Sequence, residues 1–307
     1  MSQTTTTTAP TLVLSSTSPN ASKKDASKED TPKQDACLQG VARGDRQGVL
    51  KLRGIPTFTD PFAKRQWIRE HMAAAFRFFG RNGYTEGTSG HISVRDPVLP
   101  NHFWMNPFAV HFNQLKASDM VLVDAGGYVV EGGNQAMINE AGFMIHSAVH
   151  EARPEVISVV HAHSIHGKAW ASFGKPIEML NQDACNVFGK LGVYEDHGGI
   201  ALAKDEGRAI AKALGPTNAA CILQNHGLIT CGTTVDEAAF LFYNLDQSCK
   251  AQLMAEAAAA NGLEKKYIPD DVAQYTASSM QSADNFYNEF QPEFNYVVYE
   301  SKGEVLQ

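Results

Sequence analysis

An α/β fold is predicted for this chain by two observations. Short apolar runs of strand length alternate with amphipathic helical stretches between residue 60 and about residue 262, and no internal repeat divides them. The 307 residues are 43% hydrophobic and 19% charged, the mix of a chain that buries a sizeable core.

Each element has its own signal. Thr59-Asp60-Pro61 is a helix start, a capping side chain ahead of a first-turn proline. Trp67, Ile68, Met72, Ala75, Phe76 and Phe79 then recur at three- and four-residue spacing, one apolar helical face, and Gly80 and Gly83 end it. His91-Ile-Ser-Val94, His102-Phe-Trp-Met105, Met120-Val-Leu-Val123 and Tyr128-Val-Val130 read as short strands, with a hairpin turn at Ala125-Gly-Gly127. Asn139 to Ala152 reads as a helix stopped by Arg153-Pro154, since the residue before a proline avoids helical backbone. Val156-Ile-Ser-Val-Val160 is a buried strand leading into His161-Ala-His163. Ser164 to Phe173 and Asp205 to Leu214 are helices, the second closed by Gly215-Pro216. Ala220-Cys-Ile-Leu-Gln224 and Leu228-Ile-Thr-Cys231 are strands flanking Asn225-His-Gly227, and Val235 to Gly262 is one long Ala-rich helix.

Residues 1–55 are rich in Thr, Ser, Lys and Asp and almost lack aromatics. Such a stretch buries too little apolar surface to offset its ordering entropy, so a disordered tail is expected ahead of a domain at 56–262. Residues 263–307 carry Tyr275, Phe286, Tyr287, Phe290, Phe294 and Tyr296, which suits packing on the domain or on a neighbouring subunit. No apolar run approaches the ~18 residues of a membrane helix. The start lacks a secretory pattern, and the five cysteines include no CxxC pair, so reduced thiols and a cytoplasmic location are expected. Lys plus Arg total 26 against 33 for Asp plus Glu; that net charge of -7 lacks the basic surface of a nucleic-acid binder.

The sharpest chemical signal is His161-Ala-His163 at the end of an apolar strand. Residues two apart in a strand project from one face, so both imidazoles converge. His226, in Asn225-His-Gly227, follows a second apolar strand, where glycine lets the backbone turn closely. Three neutral imidazoles suit one divalent ion and leave an open position, the arrangement of catalytic sites. The competing reading is a set of strand-end histidines bonded to backbone.

Gly87-Thr-Ser-Gly-His-Ile-Ser-Val-Arg95, Ala152-Arg-Pro-Glu155, Val159-Val-His-Ala-His163 and Gln224-Asn-His-Gly-Leu228 occur in the order and spacing of class II aldolase/adducin domains. The chain resembles that family over roughly residues 60–260. The resemblance implies a single three-layer α/β/α domain with a central, mostly antiparallel sheet. It implies that His161, His163 and His226 bind one divalent metal, zinc first, with manganese and iron as alternatives. It implies a homo-oligomer, a tetramer in many members, and substrate contacts from the turn Gly87, Thr88, Ser89, Gly90 and His91.

The departures from the pattern are informative. Sugar-phosphate aldolases of the family carry Ser-Ser-Glu ahead of a helical histidine; aligning that histidine on His146 puts Gly142 where the acid/base Glu belongs. Glu140 is two residues upstream, a rotation of about 200° on a helix. Asn139-Glu-Ala-Gly-Phe143 resembles the adducin branch more closely. His91 replaces the Asn of the Gly-Asn-hydrophobic-Ser motif, and Asn106-Pro-Phe-Ala109 replaces Thr-Pro-Thr-Gly, so donors for a phosphate are depleted. His146 and His150, at i and i+4, are expected to support the site rather than ligate the metal.

Two function classes follow. In the first, the chain is a metal-dependent lyase on a non-phosphorylated keto, hydroxy or aromatic acid, cleaving an aldol or a carboxylate through a metal-bound enediolate. Glu140 and His197 are its proton-transfer candidates, and iron would open an oxygenase branch of the same reading. In the second, it is an adducin-like assembly head that contacts the actin cytoskeleton.

Overall fold

In the computed structural model, residues 42–199 and 204–307 are described. The tail expected over 1–55 therefore lies, for residues 1–41, outside the described residues. The element order is α1 (Pro61–Arg81), β1 (His91–Arg95), β2 (Phe103–Met105), β3 (Val121–Val123), α2 (Glu140–Ala152), β4 (Ser158–Ala162), α3 (Ile165–Ala171), β5 (Leu191–Tyr194), α4 (Lys204–Leu214), β6 (Ala220–Leu223), β7 (Gly227–Gly232), α5 (Val235–Ala259), α6 (Asp270–Met280) and α7 (Ala283–Glu300).

The seven strands form one sheet in the order β3-β2-β1-β4-β7-β6-β5. Every neighbouring pair is antiparallel except β5 with β6. Strand residues alternate between the two faces, and the core divides accordingly. Ile92, Val94, Trp104, Leu122, Val160, Ile222 and Leu228 face α1, α5 and α7 and meet Met72, Phe76, Phe79, Phe242 and Phe290. On the opposite face, Val159, Cys221, Leu223, Ile229 and Cys231 meet Ile145 and Val149 of α2 and Ile210 and Leu214 of α4. Phe103, Met105, Val121 and Val123 extend that face to Phe143. The result is the expected α/β/α arrangement of three layers, and each large apolar side chain removed from water contributes roughly 1.5–3 kcal/mol.

Local chemistry sets the helix ends. The Asp60 carboxylate accepts from the Phe62 N–H, with Pro61 in the first turn. Asn139 caps α2 by accepting from the Gly142 N–H at 2.9 Å, and Thr234 caps α5 through the Glu237 N–H. The C-terminal helices pack back on this chain, Phe286, Phe290 and Val297 entering the α1/α5 core.

Several element expectations need adjustment. Residues 128–130 form only an isolated bridge, Val123↔Val129, because Asp124 gathers the Gly126 and Tyr128 N–H groups into its own turn. β4 starts and ends two residues later than its apolar run suggests and so includes His161. β5 was unmarked in the sequence: Gly192 interrupts it, since an added Cβ would meet the Ala213 carbonyl oxygen at 2.5 Å. The helical form of 270–300 was likewise unmarked, and Pro292 lies inside α7.

Candidate metal centre

Two neighbouring strand pairs bring the three histidines together. His161 pairs with His91 of β1 on one side and with Ile229 of β7 on the other. Its Nδ1 lies 2.8 Å from the Leu228 carbonyl, which only an N–H can satisfy, so Nε2 keeps its lone pair. His163 leaves the strand end, where its Nδ1 lies 3.5 Å from Glu86 Oε2. His226 occupies the turn between β6 and β7 and donates its N–H to the Leu223 carbonyl. Asn225, just before it, takes φ 57°, a backbone region that asparagine tolerates better than most residues.

One ligand nitrogen from each of His161, His163 and His226 lies within 4.8 Å of the others. Burial pushes His161 well below the ordinary imidazole range, moves His226 down to about 4 and lowers His163, against which Glu86 pulls upward. All three are thus neutral near pH 7, the form that ligates a metal. Three neutral imidazoles converging with one side open fit a divalent ion.

The open side is a cavity of about 600 Å³. Thr88, Ser89, Gly90 and His91 line it, as do Asn139, Ala141, Gly142, Lys168 and His197. Gly90 takes φ 92°, and a Cβ there would strike Phe112, so the turn requires glycine. Gly87 and Glu140 do not line the cavity; Glu140 is exposed on the first turn of α2. His197 is exposed at the mouth, its ring centroid 6.1 Å from that of His226. Asn106 is buried and donates to the Gly90 carbonyl, while Phe108 and Ala109 stay outside the cavity.

Behind His91 runs a buried hydrogen-bonded file. His91 Nδ1 lies 2.8 Å from His146 Nε2, His146 Nδ1 2.7 Å from Ser93 Oγ, Ser93 Oγ 2.8 Å from His150 Nε2, and His150 Nδ1 3.2 Å from the Val156 carbonyl. His146 and His150 thus reach His91 and Ser93 from α2. The His91 ring also lies against Gly142, where any added Cβ would overlap it.

Sequence reading missed Glu86 and Lys168. Lys168 Nζ bonds both Glu86 oxygens, at 2.8 and 2.6 Å, and Lys168 holds the carboxyl below its usual range. Neither residue sits in a pattern; a lysine five residues after His163 was the only available hint. Asp246 of α5 accepts from the Gly167 N–H and from the Tyr84 hydroxyl, each at 3.0 Å, and so anchors the first turn of α3, which follows His163.

Residues 70–253 match the family model described as the class II aldolase and adducin N-terminal domain. The chain is 44% identical over 255 residues to the meiotically up-regulated gene 14 protein of Schizosaccharomyces pombe, covering 83% of this chain and 98% of that one. It is 39% identical over 241 residues to a Streptomyces roseochromogenus protein named 4-hydroxy-3-prenylphenylpyruvate oxygenase/4-hydroxy-3-prenylbenzoate synthase, covering 78% of this chain and 85% of that one. Among solved structures, an L-fuculose 1-phosphate aldolase from Glaciozyma antarctica superposes with a TM-score of 0.74 at 38% identity, covering 82% of this chain and 96% of that one.

Proposed function

Because the chain belongs to the class II aldolase and adducin family, we propose that it is a divalent-metal-dependent carbon–carbon lyase acting on a non-phosphorylated keto, hydroxy or aromatic acid. The observation that carries this reading is the convergence of three neutral imidazoles within 4.8 Å at the floor of a substrate-sized cavity. A metal held by His161, His163 and His226, zinc in the first instance, supplies Lewis-acid polarisation of a substrate carbonyl.

The chain's own residues do the rest. The Leu228 carbonyl takes the Nδ1 proton of His161 in a hydrogen bond, which leaves Nε2 as the nitrogen that would hold a metal, and Glu86 steadies His163. The hydroxyls of Thr88 and Ser89 bond no other described side chain and offer donors to a substrate carboxylate, with Lys168 adding positive charge nearby. Aldol cleavage and decarboxylation both leave a carbon that must take up a proton. His197 lines the cavity and is assigned that transfer, whereas Glu140 does not line it.

The family includes enzymes named for sugar phosphates, so the substrate class needs its own argument. The position of their acid/base Glu is Gly142 here, and the His91 ring fills the space beside it. Asn106 is spent bracing Gly90, and Phe108 and Ala109 lie outside the cavity. The name of the Streptomyces roseochromogenus relative supports an aromatic keto acid. It also favours a second reading, iron-dependent oxygen chemistry at the same three histidines. A homo-oligomer in the cytoplasm completes the proposal.

Metal analysis followed by a turnover screen of keto and hydroxy acids, with dissolved oxygen monitored, tests both readings. Product release without oxygen uptake, abolished by a chelator, supports the lyase. Coupled oxygen consumption supports the oxygenase, and absence of bound metal with no turnover overturns both.

A further inference from the structure

The buried file behind His91 has a direction, because one of its ends can only accept. The Val156 carbonyl has no proton, so His150 Nδ1 carries one and His150 Nε2 does not. Ser93 must then give its single hydroxyl proton to His150 Nε2 and accept from His146 Nδ1. His146 Nε2 is left with a lone pair, so His91 Nδ1 donates to it. Burial pushes His150 down to about 3, so it carries no second proton and the file cannot run the other way. The remaining nitrogen, His91 Nε2, bonds no described residue, and His91 lines the cavity.

We propose that His91 Nε2 is a fixed hydrogen-bond acceptor of the substrate cavity, its lone pair set by the Val156 carbonyl through His150, Ser93 and His146, and that it selects substrates presenting a hydroxyl. This narrows the proposed substrates to hydroxy acids and rests on reading the cavity as a substrate site. The position also explains the pairing of His91 with Gly142: the ring occupies space that only glycine leaves open. A cavity that has exchanged a carboxylate for a neutral imidazole acceptor keeps a place for a hydroxyl without adding a negative charge. His91 is a specificity-determining residue on this assignment, and Ser93, His146 and His150 are positioning residues that act through it.

Two measurements on the full-length, zinc-loaded protein test this. Histidine-selective 15N NMR, assigned with His91→Phe, reads the proton position directly. The expected spectrum has a protonated Nδ1 and an unprotonated Nε2 at His91; a protonated Nε2 overturns the assignment. Ser93→Ala cuts the file, and both His91 nitrogens should then move toward averaged values. A folded Ser93→Ala protein with an unchanged His91 would also overturn it. The second measurement is calorimetric titration with glycolohydroxamate and acetohydroxamate, chelators that differ by one hydroxyl. Wild-type protein should bind the hydroxylated compound about tenfold more tightly, as one added hydrogen bond gives, and His91→Phe should erase that ratio. Equal affinities in the wild type refute the hydroxyl preference. Failure of both compounds to bind defeats the metal-enzyme reading instead, and the NMR result alone then judges His91.

Discussion

The imidazole of His91 lies directly against the α-carbon of Gly142, so the two positions are sterically one unit. Replacing a helical glycine by alanine ordinarily stabilises by up to about 0.5–1 kcal/mol. Here the added carbon overlaps a ring that is tied to His146, and overpacking of that kind costs about 1–3 kcal/mol. Gly142→Ala should therefore lower the thermal midpoint by several degrees in the wild type, yet be neutral or stabilising in a His91→Ala background. A double-mutant cycle by calorimetry checks this, and additive effects would contradict the steric coupling.

The proposed metal site would need all three imidazoles at once. His163→Ala is expected to remove most bound metal while leaving the fold intact, since His163 sits at a strand end and is only partly buried. Elemental analysis alongside circular dichroism reads both quantities. Undiminished stoichiometry in the folded variant would reject His163 as a ligand.

Acid should destabilise the protein through its buried histidines. Burial pushes His150 down to about 3, whereas in the unfolded chain the same group titrates near 6.5. Between those values the unfolded state holds a proton that the folded state refuses. Stability is therefore full above about pH 6.5 and falls as the pH drops toward 3, with a slope reaching about 1.4 kcal/mol per pH unit from this group. Urea midpoints measured from pH 7 to pH 5 should decline, and the decline should be shallower in His150→Gln. A flat profile in the wild type would refute the assignment.

The altered phosphate handle yields a binding prediction. Charge-assisted donors contribute about 1.5–3 kcal/mol each, and several present in the sugar-phosphate enzymes are replaced around Asn106, Phe108, Ala109 and Gly142. Phosphoglycolohydroxamate should accordingly bind no more tightly than acetohydroxamate, and fuculose- or rhamnulose-type phosphates should not turn over. Titration calorimetry with the two hydroxamates decides it; a large gain from the phosphate would restore a sugar-phosphate substrate.

The legible parts of this chain were those with local signals. Asp60-Pro61, the helical spacing from Trp67 to Phe79 and the apolar runs around His161 and His226 each announce an element within a few residues. The three candidate metal-binding histidines were legible because two of them share one strand end. What stayed hidden depends on pairings distant in sequence. Ser93 meets His150 across 57 residues and Lys168 meets Glu86 across 82, and neither contact has a sequence period. The His146–His150 spacing was visible, but not the file they form, which exists only once β1 lies beside β4 under α2. β5 was masked by its own glycine, whose small size serves packing against α4 rather than strand propensity.

The lateral join between β4 and β7 has a consequence for biogenesis. His161 and the Leu228 carbonyl that orients it are 67 residues apart, and main-chain pairing of the two strands sets their alignment. A nascent chain that has not yet released β7 would offer only the His161–His163 pair of the three candidate ligands. If His161, His163 and His226 hold an ion, its capture must await the β4–β7 pairing, and retained metal would report that these strands have joined in the correct frame. A slip of one residue would turn His161 toward α5 and abolish retention, so metal content doubles as a sensitive assay for misaligned sheets in destabilised variants.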